Sequence, residues 1–397
     1  MNLRAWIVLL GQTGALLGAG LTAFALGLWS LSVDGSLTNF ALLAAASTLP
    51  GAVLAPLAGV LAERASPRAA LLAANAASVV STTIIAVAVY FGAAPGAWVL
   101  VCLLLGGVGF GLQWPIYQKG LLRLIDDDAG RKRAAALLQL GPLAQHVVAP
   151  ACAALLVSTI GTVEVLGLDV VLGVLAMTSS LALPAIAADK NAGGLDEAIA
   201  HLRKKPALVK LQLFFFCSYV FGAVLQSLST PLLLSVLDAA QAGLLLSATG
   251  VGMLAGVVIA TVVVVTRAIR GVVWLEAGGG LCLIGMGLWP TAPGIFVSAS
   301  LFLLMMAWSN ALSQRAWQQA VPSSLQVRVF AIRRMLSFAA FPVCFIVSGP
   351  AADLAVASSS TRTAGLALVF VIAGVGKVIV SAVAVRQRWP AAIDDDA

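Results

Sequence analysis

The chain has 397 residues, 61% of them hydrophobic and 10% charged, with a formal net charge of +7. Soluble domains carry about 25% charged residues, so a chain that wraps itself in a polar surface is excluded. The five cysteines, Cys102, Cys152, Cys217, Cys282 and Cys344, all fall in apolar stretches without metal-ligand spacing. That excludes a disulfide framework and leaves them as small buried side chains.

A helix needs about 20 apolar residues to cross the hydrocarbon of a bilayer. Such runs are predicted twelve times, at 5–32, 38–62, 69–91, 97–118, 134–160, 167–187, 210–236, 242–266, 272–290, 294–316, 330–356 and 364–386. They do not alternate polar and apolar as membrane-barrel strands do, and helices are the remaining way to satisfy a backbone in lipid. The first run exceeds the roughly 7–15-residue apolar core of a signal peptide and lacks a cleavage site, so it is expected to stay as a span.

The connections alternate in character along the chain. Arg4 precedes span 1. Between spans 2 and 3 lies a short charged turn with Glu63, Arg64 and Arg68, where Ser66 is placed to cap span 3 and Pro67 to occupy its first turn. Lys119, Arg123, Arg131, Lys132 and Arg133 lie between spans 4 and 5, beside Asp126-Asp127-Asp128. Those acids suit a helix start and, like Asp394-Asp395-Asp396 near the end of the chain, read as solvated charge rather than a metal site. The longest polar segment, Asp189 to Lys210, falls mid-chain; within it 196–203 has acid early and base late, as a short surface helix favours. The opposite connections are short, and several use Gly and Pro: Gly92 to Gly96, Gly161 to Gly167, and Pro290 to Gly294.

This alternation puts 21 of the 23 Lys and Arg on one side, with Arg362 opposite and Lys377 inside a span. The positive-inside rule then places both termini in the cytoplasm. Anionic lipid headgroups account for the basic balance, so nucleic acid is not an expected partner. No nucleotide-binding loop, nucleophile–base arrangement or CxxC motif is present, which argues against an enzyme, a bound cofactor or ATP-driven work.

Six plus six spans around a basic central segment resemble the major facilitator superfamily. The turn after span 2 sharpens the resemblance. The family signature there is Gly-x-Leu-Ala-Asp-Arg-x-Gly-Arg-Arg/Lys-x-x-Leu, and Gly59, Leu61, Ala62, Arg64, Arg68 and Leu71 match it in register. Glu63 stands for the Asp, Ser66 for the second Gly and Pro67 for the first Arg of the pair. By resemblance, Gly59, Glu63, Arg64 and Arg68 form a cytoplasmic latch; read from the residues alone, they mark the cytoplasmic face. Gly11-Gln12 through Ala19-Gly20-Leu21-Thr22, Val321-Pro322-Ser323-Ser324 through Arg333-Arg334, and Ser348-Gly349-Pro350-Ala351-Ala352-Asp353 resemble the multidrug, macrolide and siderophore exporter branch. The branch's antiporter motif in helix 5 persists only as Gly141-Pro142 and Ala149-Pro150-Ala151, and only Arg267 and Arg270 persist in the turn after span 8.

The resemblance implies an all-α membrane protein. Twelve transmembrane helices form two six-helix bundles related by a pseudo-two-fold axis, 1–188 and 210–397, joined by a cytoplasmic linker at 189–209. It implies a midplane substrate site lined by helices 1, 4, 7 and 10. Those helices carry Gln12; Gln113, Trp114 and Tyr117; Tyr219 and Gln226; and Trp308, Asn310 and Gln314. Amides with aromatic rings suit an amphipathic organic ligand, while the same amides can instead join helices to one another. Proton coupling needs an intramembrane titratable group, and the acid usual in helix 1 or 4 is missing. Three candidates are read from the sequence. His146 lies in span 5, with a neutral interhelical hydrogen bond as the alternative. Glu276 lies in span 9, with Arg267 or Arg270 as an alternative structural partner. Lys377 lies in span 12, with reach to the cytoplasmic interface as the alternative. His146 is favoured for coupling.

The resulting expectation is a monomeric secondary transporter of the plasma (inner) membrane, surrounded by lipid. It would export a small organic compound in exchange for protons. An importer or lipid flippase of the same fold, and a non-transporting scaffold or sensor, stay open as alternatives.

Overall fold

The computed structural model describes residues 3–64, 66–125, 127–184, 196–263, 265, 267–322 and 325–387, without the side chains of 55–64, 128, 132, 135 and 327. The described residues form helices joined by short connections, with no strand among them. Twelve helices are long and apolar enough to cross a membrane. They are span 1 (Leu3–Val33), span 2 (Leu37–Leu54, within the helix Leu37–Arg64), span 3 (Pro67–Tyr90), span 4 (Ala97–Leu122), span 5 (Leu140–Thr159), span 6 (Thr162–Ser180), span 7 (Pro206–Leu234), span 8 (Ala239–Val262), span 9 (Ala268–Leu288), span 10 (Ala292–Ala320), span 11 (Arg328–Ala357) and span 12 (Arg362–Val385).

The chain divides into two compact units, Met1–Gly194 with Ala239–Ser247, and Leu195–Asp238 with Ala248–Ala397. In the first, span 1 packs on spans 5 and 6, span 4 on spans 2 and 3, and span 3 on span 6. In the second, the same pattern recurs: span 7 packs on spans 11 and 12, span 10 on spans 8 and 9, and span 9 on span 12. Small residues make these crossings close, as interhelical packing in lipid requires. A Cβ on Gly109 would stand 2.2 Å from the carbonyl oxygen of Ala74, and one on Gly252 only 1.9 Å from that of Ser300.

Span 6 begins five residues earlier than the sequence suggests. Gly161 alone turns the chain, at φ 104°, and the helix starts at Thr162. Span 5 is preceded by a separate helix, Asp128–Leu137, whose N-cap Asp127 accepts from the Gly130 amide at 2.7 Å. Ser66 sits at the N-cap position of span 3, but its side chain makes no capping bond. Among the described residues no cluster could hold a metal ion. The segment 196–204 is helical and joins span 11 through Arg328 and Glu197, 2.8 Å apart.

Prolines shape span 5. Pro150 has no N–H to give the carbonyl four residues back, and the backbone relaxes into a π-helical turn at Ala144–Val148, closed by the Ala149 amide on Ala144. The Ala151 amide turns outward and donates to Ser247 Oγ at 2.9 Å. This bond helps explain why Ala239–Ser247 clusters with the first unit.

Candidate functional site

Each unit holds a buried polar knot between its helices. In the first, Gln12 is fully buried and its amide is completely used. Its Nε2 donates to the Ala176 carbonyl at 3.0 Å and to Ser180 Oγ at 3.3 Å, and its Oε1 accepts from Gln113 Nε2 at 2.9 Å. Asn75 reaches the same pair, donating to Ser180 Oγ at 3.3 Å. One amide in span 1 therefore ties spans 3, 4 and 6 together, which is the helix-joining role. Tyr117 is 1% exposed and meets Trp114 edge-on, with ring centroids 6.0 Å apart.

Directly beside this knot lies a carboxylate that the sequence reading passed over. Asp169 in span 6 accepts from Thr22 Oγ1 at 2.7 Å and Thr82 Oγ1 at 3.0 Å, both on the same oxygen, Oδ2. Gly18 makes room for the other oxygen, since a Cβ there would come within 2.3 Å of Oδ1. A cavity of about 30 Å³ is lined by Asp169, Asn75, Ser78, Thr82 and Gln113 together with apolar residues such as Phe110 and Val79. A signal for this residue was present: an acid inside an apolar run is a functional hypothesis by default. Starting span 6 at 167 left Asp169 at the mouth of a loop and hid it.

The second unit holds a buried ion pair. Glu276 and Lys377, each 3% exposed, bond directly to one another across spans 9 and 12. Ser218 Oγ donates to Glu276 Oε2 at 2.7 Å and accepts from Lys377 Nζ at 2.6 Å, while Ser309 Oγ donates to Oε1 at 2.6 Å. Lys377 Nζ also lies 5.7 Å from the centre of the Phe302 ring. This corrects two alternatives. Glu276 is not the partner of Arg267 or Arg270, and Lys377 does not reach toward an interface. A lysine and a glutamate that meet inside the unit leave neither charge to seek one elsewhere.

Tyr219, Trp308, Asn310 and Gln314 of this unit are half-buried. Tyr219 OH donates to Asn310 Oδ1. Phe341 packs against Tyr219, with ring centroids 6.3 Å apart. Gln314 Oε1 accepts from Arg333 at 2.7 Å, Ser313 Oγ accepts from the same guanidinium at 2.8 Å, and Trp317 lies below it at 5.2 Å. Trp308 is half-buried, and its Nε1 has no hydrogen-bond partner among the described residues. The structure thus brings Tyr219, Asn310, Gln314 and Arg333 into two adjoining hydrogen-bonded pairs. Gln226 stands apart, exposed on the second part of span 7.

His146 occupies the π-helical turn of span 5. It is exposed and makes no hydrogen bond or ion pair among the described residues, so the expected alternative of a neutral interhelical bond is not what it does. Of the latch residues, the side chains of Glu63 and Arg64, and Gly59 with them, fall outside the described side chains; Arg68 is half-buried at the start of span 3.

A family model described as Major Facilitator Superfamily matches residues 8–343. The chain belongs to this superfamily. Solved structures agree on the fold. The nucleoside transporter NupG superposes with a TM-score of 0.78 at 13% identity, covering 98% of this chain and 100% of that one. A bacterial homolog of the human lysosomal transporter Spinster, inward-facing and unoccupied, gives 0.73 at 15% identity, with 96% of each chain covered. A D-xylose–proton symporter gives 0.73 at 15% identity, with 99% of each covered. No curated protein matches. As a facilitator-superfamily member the chain is an integral, multi-pass membrane protein with two six-helix bundles. It is a secondary transporter of a small molecule rather than an enzyme.

Proposed function

We propose that this facilitator exports a small amphipathic organic compound from the cytoplasm across the plasma membrane in exchange for protons. The observation that carries the reading is the half-buried aromatic and amide cluster of spans 7, 10 and 11. Tyr219, Phe341 and Trp308 offer flat apolar faces. Asn310 and Gln314 offer orienting amide groups, and Trp308 Nε1 is a donor without a partner among the described residues. Rings with a few fixed polar groups are what a site for such a ligand is made of. The exporter-like sequence of span 1 and of the 10–11 connection supports the direction, and the turn carrying Gly59, Glu63, Arg64 and Arg68 supports a cytoplasmic latch. Both termini are then cytoplasmic, and the working unit is a monomer in lipid.

Similarity of fold to a nucleoside transporter and a sugar–proton symporter motivates the second reading, carriage of a polar metabolite. The test is transport by the purified chain in proteoliposomes, with and without an imposed pH gradient. Ethidium and erythromycin represent amphipathic compounds; uridine and D-xylose represent polar ones. Gradient-driven movement of an amphipathic probe is expected. Movement of uridine or xylose alone would replace the export reading with the second, flux indifferent to the gradient would sink proton exchange, and no movement of any probe would favour a scaffold.

A further inference from the structure

We propose that Asp169 is the group that takes up and releases the coupling proton, with the cavity beside it as the route and seat for that proton. The proposal rests on the proton-exchange reading above and names its residue.

The two carboxyl oxygens are treated differently. Oδ2 is held by hydroxyls from two other helices, Thr22 of span 1 and Thr82 of span 3. Oδ1 accepts no hydrogen bond among the described residues, and Asp169 lines a cavity of about 30 Å³ walled by Asn75, Ser78, Thr82 and Gln113. Such a volume has room for about two waters, and its polar lining can bond them. One oxygen is therefore held by two helices, the other has no donor among the described residues, and the side chain as a whole lines the cavity.

Among the described residues no cation is positioned to neutralise this acid. Span 6 packs on spans 1, 3 and 5. Span 1 carries Arg4, about 27 Å along the helix from Thr22 at 1.5 Å per residue. Span 3 carries Arg68, about 21 Å from Thr82, and Tyr90, about 12 Å beyond it. Span 5 contributes Cys152 and the exposed His146. Span 6 itself has Glu164, exposed and of like charge. Span 4 closes the cavity with Gln113 and carries Cys102, Tyr117 and Lys119; Lys119 is about 9 Å further along that helix than Gln113. Glu276 already has its lysine, and His146 makes no hydrogen bond or ion pair among the described residues.

Protonation has a mechanical consequence. A hydronium in the cavity passes its proton to the Asp169 carboxylate: one O–H bond of the hydronium breaks, one forms on the carboxyl group, water is left, and the carboxylate charge is removed. The bonds from Thr22 and Thr82 to Oδ2 then cease to be charge-assisted and weaken. These bonds hold span 6 to spans 1 and 3, so the proton alters how three helices of the first unit grip one another. That change in grip is the coupling step.

The test has two readouts on the purified full-length chain in lipid. Infrared difference spectra on acidification report protonated carboxyl groups without any substrate. A carboxyl band is expected in the wild type, absent from Asp169→Asn and regained in Asp169→Glu, which keeps the carboxyl group. Ethidium, or whichever of the four probes the wild type moves, is then followed in proteoliposomes. Gradient-driven flux should be lost in Asp169→Asn and restored in Asp169→Glu, while exchange without a gradient continues in both. An unchanged carboxyl band in Asp169→Asn, or gradient-driven flux that survives in it, overturns the assignment alone. Wild-type flux that ignores the gradient overturns the proton-exchange reading, and the coupling role of Asp169 with it.

Discussion

Each unit holds a carboxylate within its bundle, Glu276 buried and Asp169 half-buried, and the two are handled in opposite ways. Glu276 bonds to Lys377 and to two serine hydroxyls, so both of its oxygens are occupied. Asp169 has hydroxyls on one oxygen only and a cavity lined in part by its own side chain. The same chemical group is thus a fixed strut in one place and a switchable one in the other. What separates them is the partner. A lysine within the bundle locks the charge state of its acid, because changing either charge strands the other in a water-poor interior. Threonine hydroxyls impose no such lock, since they can bond a neutral acid as well as a carboxylate.

Breaking the strut should have the largest effect on stability. Lys377→Met leaves Glu276 with its serine hydroxyls but without its cation and should destabilise the protein by about 3–5 kcal/mol. Adding Glu276→Leu should recover most of that loss, because an apolar pair can replace a buried ion pair; thermal unfolding in detergent reads both. If Lys377→Met is as stable as the wild type, the pair is not a strut. Gly18→Ala comes next. Its Cβ would stand 2.3 Å from Asp169 Oδ1, so about 1–3 kcal/mol of overpacking is expected, together with a loss of gradient-driven flux that Lys377 variants with intact folding would not show.

Smaller effects test the rest of the contrast. Gln12→Leu removes the amide that joins spans 3, 4 and 6 to span 1, and about 1–2 kcal/mol should be lost at roughly 0.6 kcal/mol per interhelical bond. A loss of flux with full stability would instead make Gln12 a ligand contact. Asp169→Asn keeps an acceptor for Thr22 and Thr82, so its unfolding should stay within about 1 kcal/mol of the wild type. That outcome in a variant without gradient-driven flux would show that the acid serves coupling rather than packing. Arg68→Ala should leave stability within about 0.5 kcal/mol and membrane insertion unchanged while slowing transport. Normal flux would reduce that turn to a marker of the cytoplasmic face.

Much of the fold is legible along the chain, because span length and hydropathy are local properties. The twelve spans, the short turn after span 2 and the helix at 196–204 all follow from runs, charges and caps read in order. The site is legible only in its residue types. Tyr219, Asn310 and Gln314 stand out as polar groups in apolar helices, yet their partners lie elsewhere: Tyr219 and Asn310 are 91 positions apart, and Gln314 pairs with Arg333 of the next span. Asp169 is inconspicuous in the sequence because the predicted span starts at 167, two residues before it; Gly161, with a left-handed backbone, starts the helix at Thr162 and sets the acid about two turns inside.

The sequence by itself determined that this is a twelve-span facilitator, because apolar length, basic loops and a signature turn each act within a few residues. Only the tertiary structure decided which charges are spent and which are available. Glu276 and Lys377 are 101 positions apart and satisfy each other, whereas Asp169 meets Thr22 and Thr82 at 147 and 87 positions' remove and keeps one oxygen free of any such bond. The physical reason is that a buried charge is governed by whatever helix packing brings within about 4 Å of it.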